Sequence, residues 1–144
     1  MKVEEAQIKA IMKHSMGMNC LQSNWECPIC KRSTLHTVRL TKKYTWVFEL
    51  NLHHDHAAKF CNTEPRFADI LICGDCNRVD ARVKASYKCI SSDCWSFSPD
   101  EIAKVITVVN NRYHRINFDL AFKMGLKLYS FYKNPKVKGA LKDE

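Results

Sequence analysis

Cys73-Gly74-Asp75-Cys76-Asn77 repeats a spacing already used once in the chain, in Cys27-Pro28-Ile29-Cys30. A Cys-x-x-Cys turn aims two thiolates at one point, and two such turns supply the four sulfurs of a tetrahedral zinc site with Zn–S bonds of about 2.3 Å. Chance placement of eight cysteines among 144 residues gives fewer than one such pair. The competing reading is four reduced thiols in a core. A redox role is disfavoured because neither pair sits in a thioredoxin-like strand-to-helix context. A zinc bound here would tie a knuckle ahead of the first strand to the start of a helix, clamping residues 30 to 73. Four-coordinate structural zinc is closed, so it would contribute folding energy and take no direct part in catalysis.

Outside this clamp the composition sets broad limits. The length suits a single domain, residues 1–144, with a modest core. Lys and Arg number 23 against 15 Asp and Glu, and the resulting charge of +8 favours a polyanionic partner. The same excess, spread along the chain, also suits a merely soluble basic protein. The N-terminus MKVEEAQIKA puts two glutamates where a signal peptide carries its apolar region, and no aliphatic run approaches a membrane span. The expectation is a cytoplasmic protein without membrane contact, in which paired cysteines hold metal rather than form disulfides.

Periodicity predicts an α+β chain. Ile8, Ile11, Met12 and Ser15 mark an amphipathic helix over 3–16. LHTVRL (35–40) and TWVFELNL (45–52) read as strands, with the polar KKY between them as a turn. Residues 57–66 read as a loop, ADILI (68–72) as a buried strand, and a helix follows from Cys73 with Asp75 as its cap. Ser98-Pro99-Asp100-Glu101 carries a capping box, after which Ile102, Val105, Ile106, Val109 and Tyr113 form one helical face. A last helix is expected over 118–132, and the tail from Lys133 reads as frayed or as touching nucleic acid.

Between the two cysteine pairs lies Leu52-His53-His54-Asp55-His56, at the end of a predicted strand, where residues 53 and 55 point one way and 54 and 56 the other. Phosphodiester hydrolysis needs a hard cation for the leaving oxygen and a neutral imidazole to take a proton from water, and opposite strand faces separate those jobs. The plain alternatives are a polar surface cluster or another set of zinc ligands. Asn77 follows the last cysteine directly, so the clamp would fix an amide oxygen at the first helical turn. That oxygen could serve a hard metal, or Asn77 could simply cap the helix.

Taken together, Cys-x-x-Cys, a strand ending in His-His-Asp-His, and Leu-x-Cys-x-x-Cys-Asn resemble the HNH nucleases, most closely the phage recombination endonuclease VII type. The resemblance spans residues 25 to 85. It implies a zinc-stapled ββα-metal (His-Me finger) core over 25–88 with flanking N- and C-terminal helices, the latter a helical appendage over 97–132. It also implies Zn²⁺ on Cys27, Cys30, Cys73 and Cys76 and a catalytic Mg²⁺ or similar divalent cation. His54 would be the general base, and His53 and Asn77 ligands of the divalent cation. Asp80, one turn after Asn77, would hold a water of the metal's shell. The activity implied is hydrolysis of DNA by a His base and one divalent metal, leaving 5′-phosphate and 3′-hydroxyl ends. The chain departs from the pattern in having no counterpart of the final HNH histidine near Ala85 or Ser86. His53 also stands where the endonuclease VII type usually has Asp.

Arg66, Arg78, Arg82, Lys84 and Lys88 flank or lie on the predicted helix and are candidate phosphate contacts, with Lys31, Arg32, Arg39, Lys42 and Lys43 extending that surface; a solvated face is the alternative. Cys89 and Cys94, with Cys20, Cys61, His56 or His114, are candidates for a second zinc, against buried free thiols. Trp95 and Phe97 read as core. The remaining function classes are a catalytically inactive, zinc-binding, nucleic-acid-binding module and a structural zinc protein. A homodimer is left open.

Overall fold

The computed structural model describes residues 25–40, 46–47, 49–60, 63–86 and 95–133. The predicted N-terminal helix over 3–16, the KKY turn, Lys88, the cysteines at 20, 61, 89 and 94, and the tail lie outside the described residues.

The chain is mixed helix and small sheet. Its order is α1 (Thr34–Thr37), β1 (Arg39–Leu40), β2 (Trp46–Val47), β3 (Leu50–His53), α2 (His56–Phe60), β4 (Ile70–Cys73), α3 (Gly74–Asn77), α4 (Val79–Ser86), α5 (Pro99–Val105), β5 (Ile106–Thr107), β6 (Arg115–Ile116) and α6 (Phe118–Lys133). Among the described residues three antiparallel two-stranded ladders form, β1 with β2, β3 with β4 and β5 with β6. In the second, Leu50 faces Cys73 and His53 faces Ile70, so the end of β3 that carries the histidines lies beside the start of β4. Among the described residues no helix is long and apolar enough to cross a membrane.

Several local expectations give way to side-chain chemistry. Residues 34–37 form α1 instead of the start of a strand, because the Thr37 hydroxyl donates to the Thr34 carbonyl at 2.7 Å and Arg32 holds the His36 carbonyl. Only Arg39 and Leu40 of the expected first strand pair, and the expected 45–52 strand resolves into β2 and β3. The expected loop begins instead with α2, whose first turn is organised by Asp55: its carboxylate accepts the Ala57 amide at 3.1 Å and the Arg66 amide at 3.0 Å.

The helix after β4 is capped not by Asp75 but by Cys73, whose sulfur accepts from the Cys76 amide. Gly74 opens it because a Cβ there would lie 2.9 Å from Glu49 Cβ. The capping box at Ser98 forms in full, with Glu101 N to Ser98 Oγ at 3.2 Å and Ser98 N to Glu101 Oε1 at 2.8 Å. That helix stops at Val105, where the β-branched run Ile106-Thr107 leaves it to pair with Arg115-Ile116. The expected apolar face through Val109 and Tyr113 is thereby replaced by a hairpin.

One core runs through the molecule. Cys27, Cys30, Cys73 and Cys76 pack with Ile72, Val79, Val83, Trp95, Phe97, Ile102, Val105, Ala121 and Tyr132. Trp95 and Phe97 are fully buried and meet edge to face with centroids 4.7 Å apart. Residues 97–132 are thus not an appendage: they close the same core, and burying Phe97 alone contributes about 1.5–3 kcal/mol.

Candidate metal centre and active site

The two knuckles bring four sulfurs to one place. Cys27 Sγ lies 3.8 Å from Cys76 Sγ, Cys30 Sγ lies 3.8 Å from Cys73 Sγ, and all four sulfurs fall within 4.8 Å of one another. A regular tetrahedron with bonds of about 2.3 Å has edges of about 3.8 Å, so the spacing is that of zinc ligands. The first knuckle turns back through Lys31, held at φ 61° with its amide on the Cys27 carbonyl at 2.8 Å. Crowding sets the thiols against one another. Hydrogen bonds from Cys27, Cys73 and Cys76 push the Cys30 thiol far down, while Cys76, beside Cys27, Cys30 and Cys73, is pushed far up. A divalent metal that takes all four as thiolates removes that conflict.

A buried cation completes the cluster. Arg32, expected on the surface, is 1% exposed at its side chain. It donates Nε to Cys30 Sγ at 3.3 Å, and Nη2 to Cys73 Sγ at 3.4 Å and to Asp75 Oδ2 at 3.0 Å. Its Nη1 reaches the carbonyls of His36, Val109 and Arg112. Burial by itself would lower its pKa, but Cys30, Cys73 and Asp75 outweigh that and hold the guanidinium above its ordinary value. His114, buried as well, sets Nε2 3.4 Å from Cys76 Sγ, while its Nδ1 has no hydrogen-bond partner. It therefore belongs to the surroundings of the four-cysteine cluster.

The second constellation lies at the end of β3. His53 is buried and His54 exposed, the alternation the strand requires. His53 Nε2 lies 2.7 Å from the Phe97 carbonyl, which can only accept, so Nε2 carries the proton. In the neutral ring the Nδ1 lone pair then faces Asn77 Oδ1 at 3.3 Å. Two acceptors meeting at that distance call for a cation between them, or for the Asn77 amide turned to offer its NH₂. Adjacent ligands on an octahedral Mg²⁺ with bonds of about 2.1 Å lie about 3.0 Å apart, so the pair fits a hard cation. Phe67 stacks on the His53 ring with centroids 5.1 Å apart and fixes its plane.

Asp80 is tied to His53 through one peptide unit's neighbours: Phe97 gives its carbonyl to His53 and its N–H to Asp80 Oδ1 at 3.1 Å. Burial pushes the Asp80 carboxyl up to about 6, against the lowering effect of Lys84 and His53. His54 Nδ1 lies 3.4 Å from the carbonyl of Leu52, two residues back in the chain. With Nδ1 donating there, Nε2 presents its lone pair outward. The His56 ring stacks on His54 with centroids 4.7 Å apart, and burial, followed by the His54, Lys84 and His53 charges, lowers its pKa.

The basic residues divide. Arg66 spends its guanidinium on the Ser96 carbonyl and Glu101, both within 2.8 Å, and Lys84 donates to the Trp95 carbonyl at 2.7 Å while lying over the Trp95 ring. Both hold the 95–101 segment down, which corrects their expected place on the phosphate surface. Arg78 pairs with Glu49, Arg82 donates to the His114 carbonyl, and both lie near the Tyr113 ring, so they do share one side.

Sequence reasoning put Arg32 on the phosphate surface instead of against the sulfurs, and missed the Phe97 backbone as the partner of His53 and Asp80. A basic residue two positions past Cys30 was a signal for the first, since zinc thiolates need a cation. A backbone carbonyl leaves no sequence signal. Compared with protein-family models, with curated proteins and with solved structures, the chain gave no match.

Proposed function

We propose that the chain is a metal-dependent DNA endonuclease with a zinc-stapled ββα-metal core formed by β3, β4 and α4. The observation that carries this reading is the convergence of His53 Nδ1 and Asn77 Oδ1 at 3.3 Å, one residue from an exposed imidazole. Zn²⁺ on Cys27, Cys30, Cys73 and Cys76 would hold Asn77 in register with His53, because Cys76 and Asn77 are consecutive.

His53 and Asn77 would hold a Mg²⁺-like ion, which when bound supplies positive charge to the oxygen leaving phosphorus. The protein's own groups do the rest. The Leu52 carbonyl keeps the Nδ1 proton on His54, so its Nε2 takes a proton from water as the water oxygen bonds to phosphorus. The P–O3′ bond breaks, leaving a 5′-phosphate and a 3′-oxygen that is protonated from solvent. Asp80, through Phe97, keeps His53 in the tautomer that leaves Nδ1 bare. The net charge of +8 suits the DNA polyanion.

Incubating the purified protein with supercoiled plasmid, with and without Mg²⁺, tests the reading. Nicked or linear product that depends on Mg²⁺ and carries 5′-phosphate ends is expected. Intact plasmid that is nevertheless retained by the protein would leave an inactive nucleic-acid-binding zinc module in its place.

A further inference from the structure

The hairpin between β5 and β6 displays an aromatic ring that the proposed chemistry does not use. Tyr113 is 46% exposed, and the guanidinium carbons of Arg39, Arg82 and Arg78 lie 4.3, 5.5 and 6.0 Å from its ring centroid. Arg112 and Arg115, on either side of it in sequence, are exposed as well. Cations within about 6 Å of a ring hold its plane by attraction to the π face.

The loop is fastened from within. Arg32, itself buried against the four cysteines, binds the Val109 and Arg112 carbonyls at 2.9 and 3.1 Å. Asn111 donates its backbone N–H to the His36 carbonyl at 2.7 Å and its side-chain amide to the Leu35 and Val38 carbonyls at 2.7 and 2.6 Å. It does so from the left-handed region, at φ 60°, a conformation that costs free energy and persists only where its surroundings enforce it. On the other side Arg82 holds the His114 carbonyl at 2.7 Å, and the His114 ring is buried at Cys76. Both neighbours of Tyr113 are therefore fixed, and its ring cannot withdraw into the core. A rigid loop that keeps an aromatic ring in water among arginines is built as a preorganised surface.

The chemistry of that surface is a π face flanked by fork-shaped cations. A base stacks on such a face whatever its identity. Arg39, Arg78 and Arg82, already held by Asp75, Glu49 and the His114 carbonyl, brace the ring, and the exposed Arg112 and Arg115 beside it offer guanidinium groups to neighbouring phosphates. Bases inside a duplex are already stacked on each other and cannot offer a face. We infer that Tyr113, framed by Arg39, Arg78 and Arg82, stacks an unpaired base, so that the substrate carries a single-stranded segment beside the site of cleavage. The inference rests on the reading of the chain as a DNA-binding nuclease, but it concerns binding alone.

The test is fluorescence anisotropy with the full-length, zinc-loaded His54→Ala protein in Mg²⁺-free buffer, using labelled oligo(dT) of about 12 nucleotides and a duplex of equal length. Tyr113→Ala should weaken oligo(dT) binding roughly tenfold, Tyr113→Phe should not, and duplex binding should change less than twofold in both. Equal loss on duplex and single strand, equal loss in the Ala and Phe variants, or no loss would each overturn the stacking assignment. Plasmid cleavage by the parent protein is scored separately, so failure of the nuclease reading leaves this result interpretable, and the reverse.

Discussion

Cys76 and Asn77 are consecutive residues at one helix start, yet their side chains face surroundings of opposite character. Cys76 faces three other sulfurs, fully buried, with a guanidinium and an imidazole sealing the cluster. Asn77 faces one imidazole nitrogen, half-buried, next to a histidine open to solvent. A closed set of soft ligands suits zinc held for structure, whereas in the proposed reading the nitrogen and oxygen of His53 and Asn77 would leave positions for water and substrate on a hard ion. The pairing shows how one rigid turn can transmit the order of a staple to a site that has few contacts of its own.

Breaking the closed centre should have the largest effect. Structural zinc sites contribute apparent binding free energies of about 10–16 kcal/mol in small peptides, and here the sulfurs also form part of the core. Stripping the metal with a strong chelator, or replacing Cys73 by Ser, should therefore unfold the chain, read as loss of the near-ultraviolet dichroism of Trp95. Metal analysis should give at least one zinc per chain, and a native spectrum in excess chelator would remove the staple.

The buried cation sharpens the comparison next. Arg32→Met leaves Asp75 and two thiolates without their inner partner, and breaking a buried ion pair typically costs about 3–5 kcal/mol. Arg39 still reaches Asp75 at 3.2 Å, which favours the lower end. Denaturant unfolding of the zinc-loaded variant measures this. A change below about 1 kcal/mol would mean that Arg32 fills space rather than balancing charge.

On the open side the effect should be smaller and confined to the divalent ion. Asp80→Ala releases the Phe97 amide and loosens the carbonyl that orients His53. Loss of such an outer partner costs about 10–100-fold in metal affinity. Calorimetric titration with Mn²⁺ should reveal it while zinc content stays at the parent level. Unchanged Mn²⁺ affinity would mean that Phe97 needs no help from Asp80.

The sequence made the endpoints of this architecture legible and hid much of what joins them. Cys-x-x-Cys spacing located the four-sulfur cluster because the turn geometry is local, and Ser98-Pro99-Asp100-Glu101 located α5 because a capping box is local too. The short apolar strand over 68–72 and the long α6 were legible from local apolar patterning, whereas the pairing of β4 with β3 is a long-range contact that leaves no local signal. By contrast α1 and α2 are too short for periodicity and depend on single side-chain hydrogen bonds from Thr37 and Asp55. The end of α5 at Val105 is a tertiary choice, since Ile106 gains a ladder partner in Ile116. Basic residues were hardest: Arg32, Arg66 and Lys84 look like surface charges in sequence, and only their acceptors, mostly carbonyls and sulfurs from distant segments, reveal them as internal clamps.

The central claim is that His54 acts as the base beside a divalent ion held by His53 and Asn77. A general base contributes about 10²–10⁴-fold to rate and little to ground-state affinity. The direct measurement is the rate of plasmid cleavage in Mg²⁺ by the parent and by His54→Ala, alongside their melting curves and DNA affinities. The variant should lose at least about a hundredfold in rate with fold and binding retained. A His54→Ala protein that cuts within about threefold of the parent would contradict the assignment.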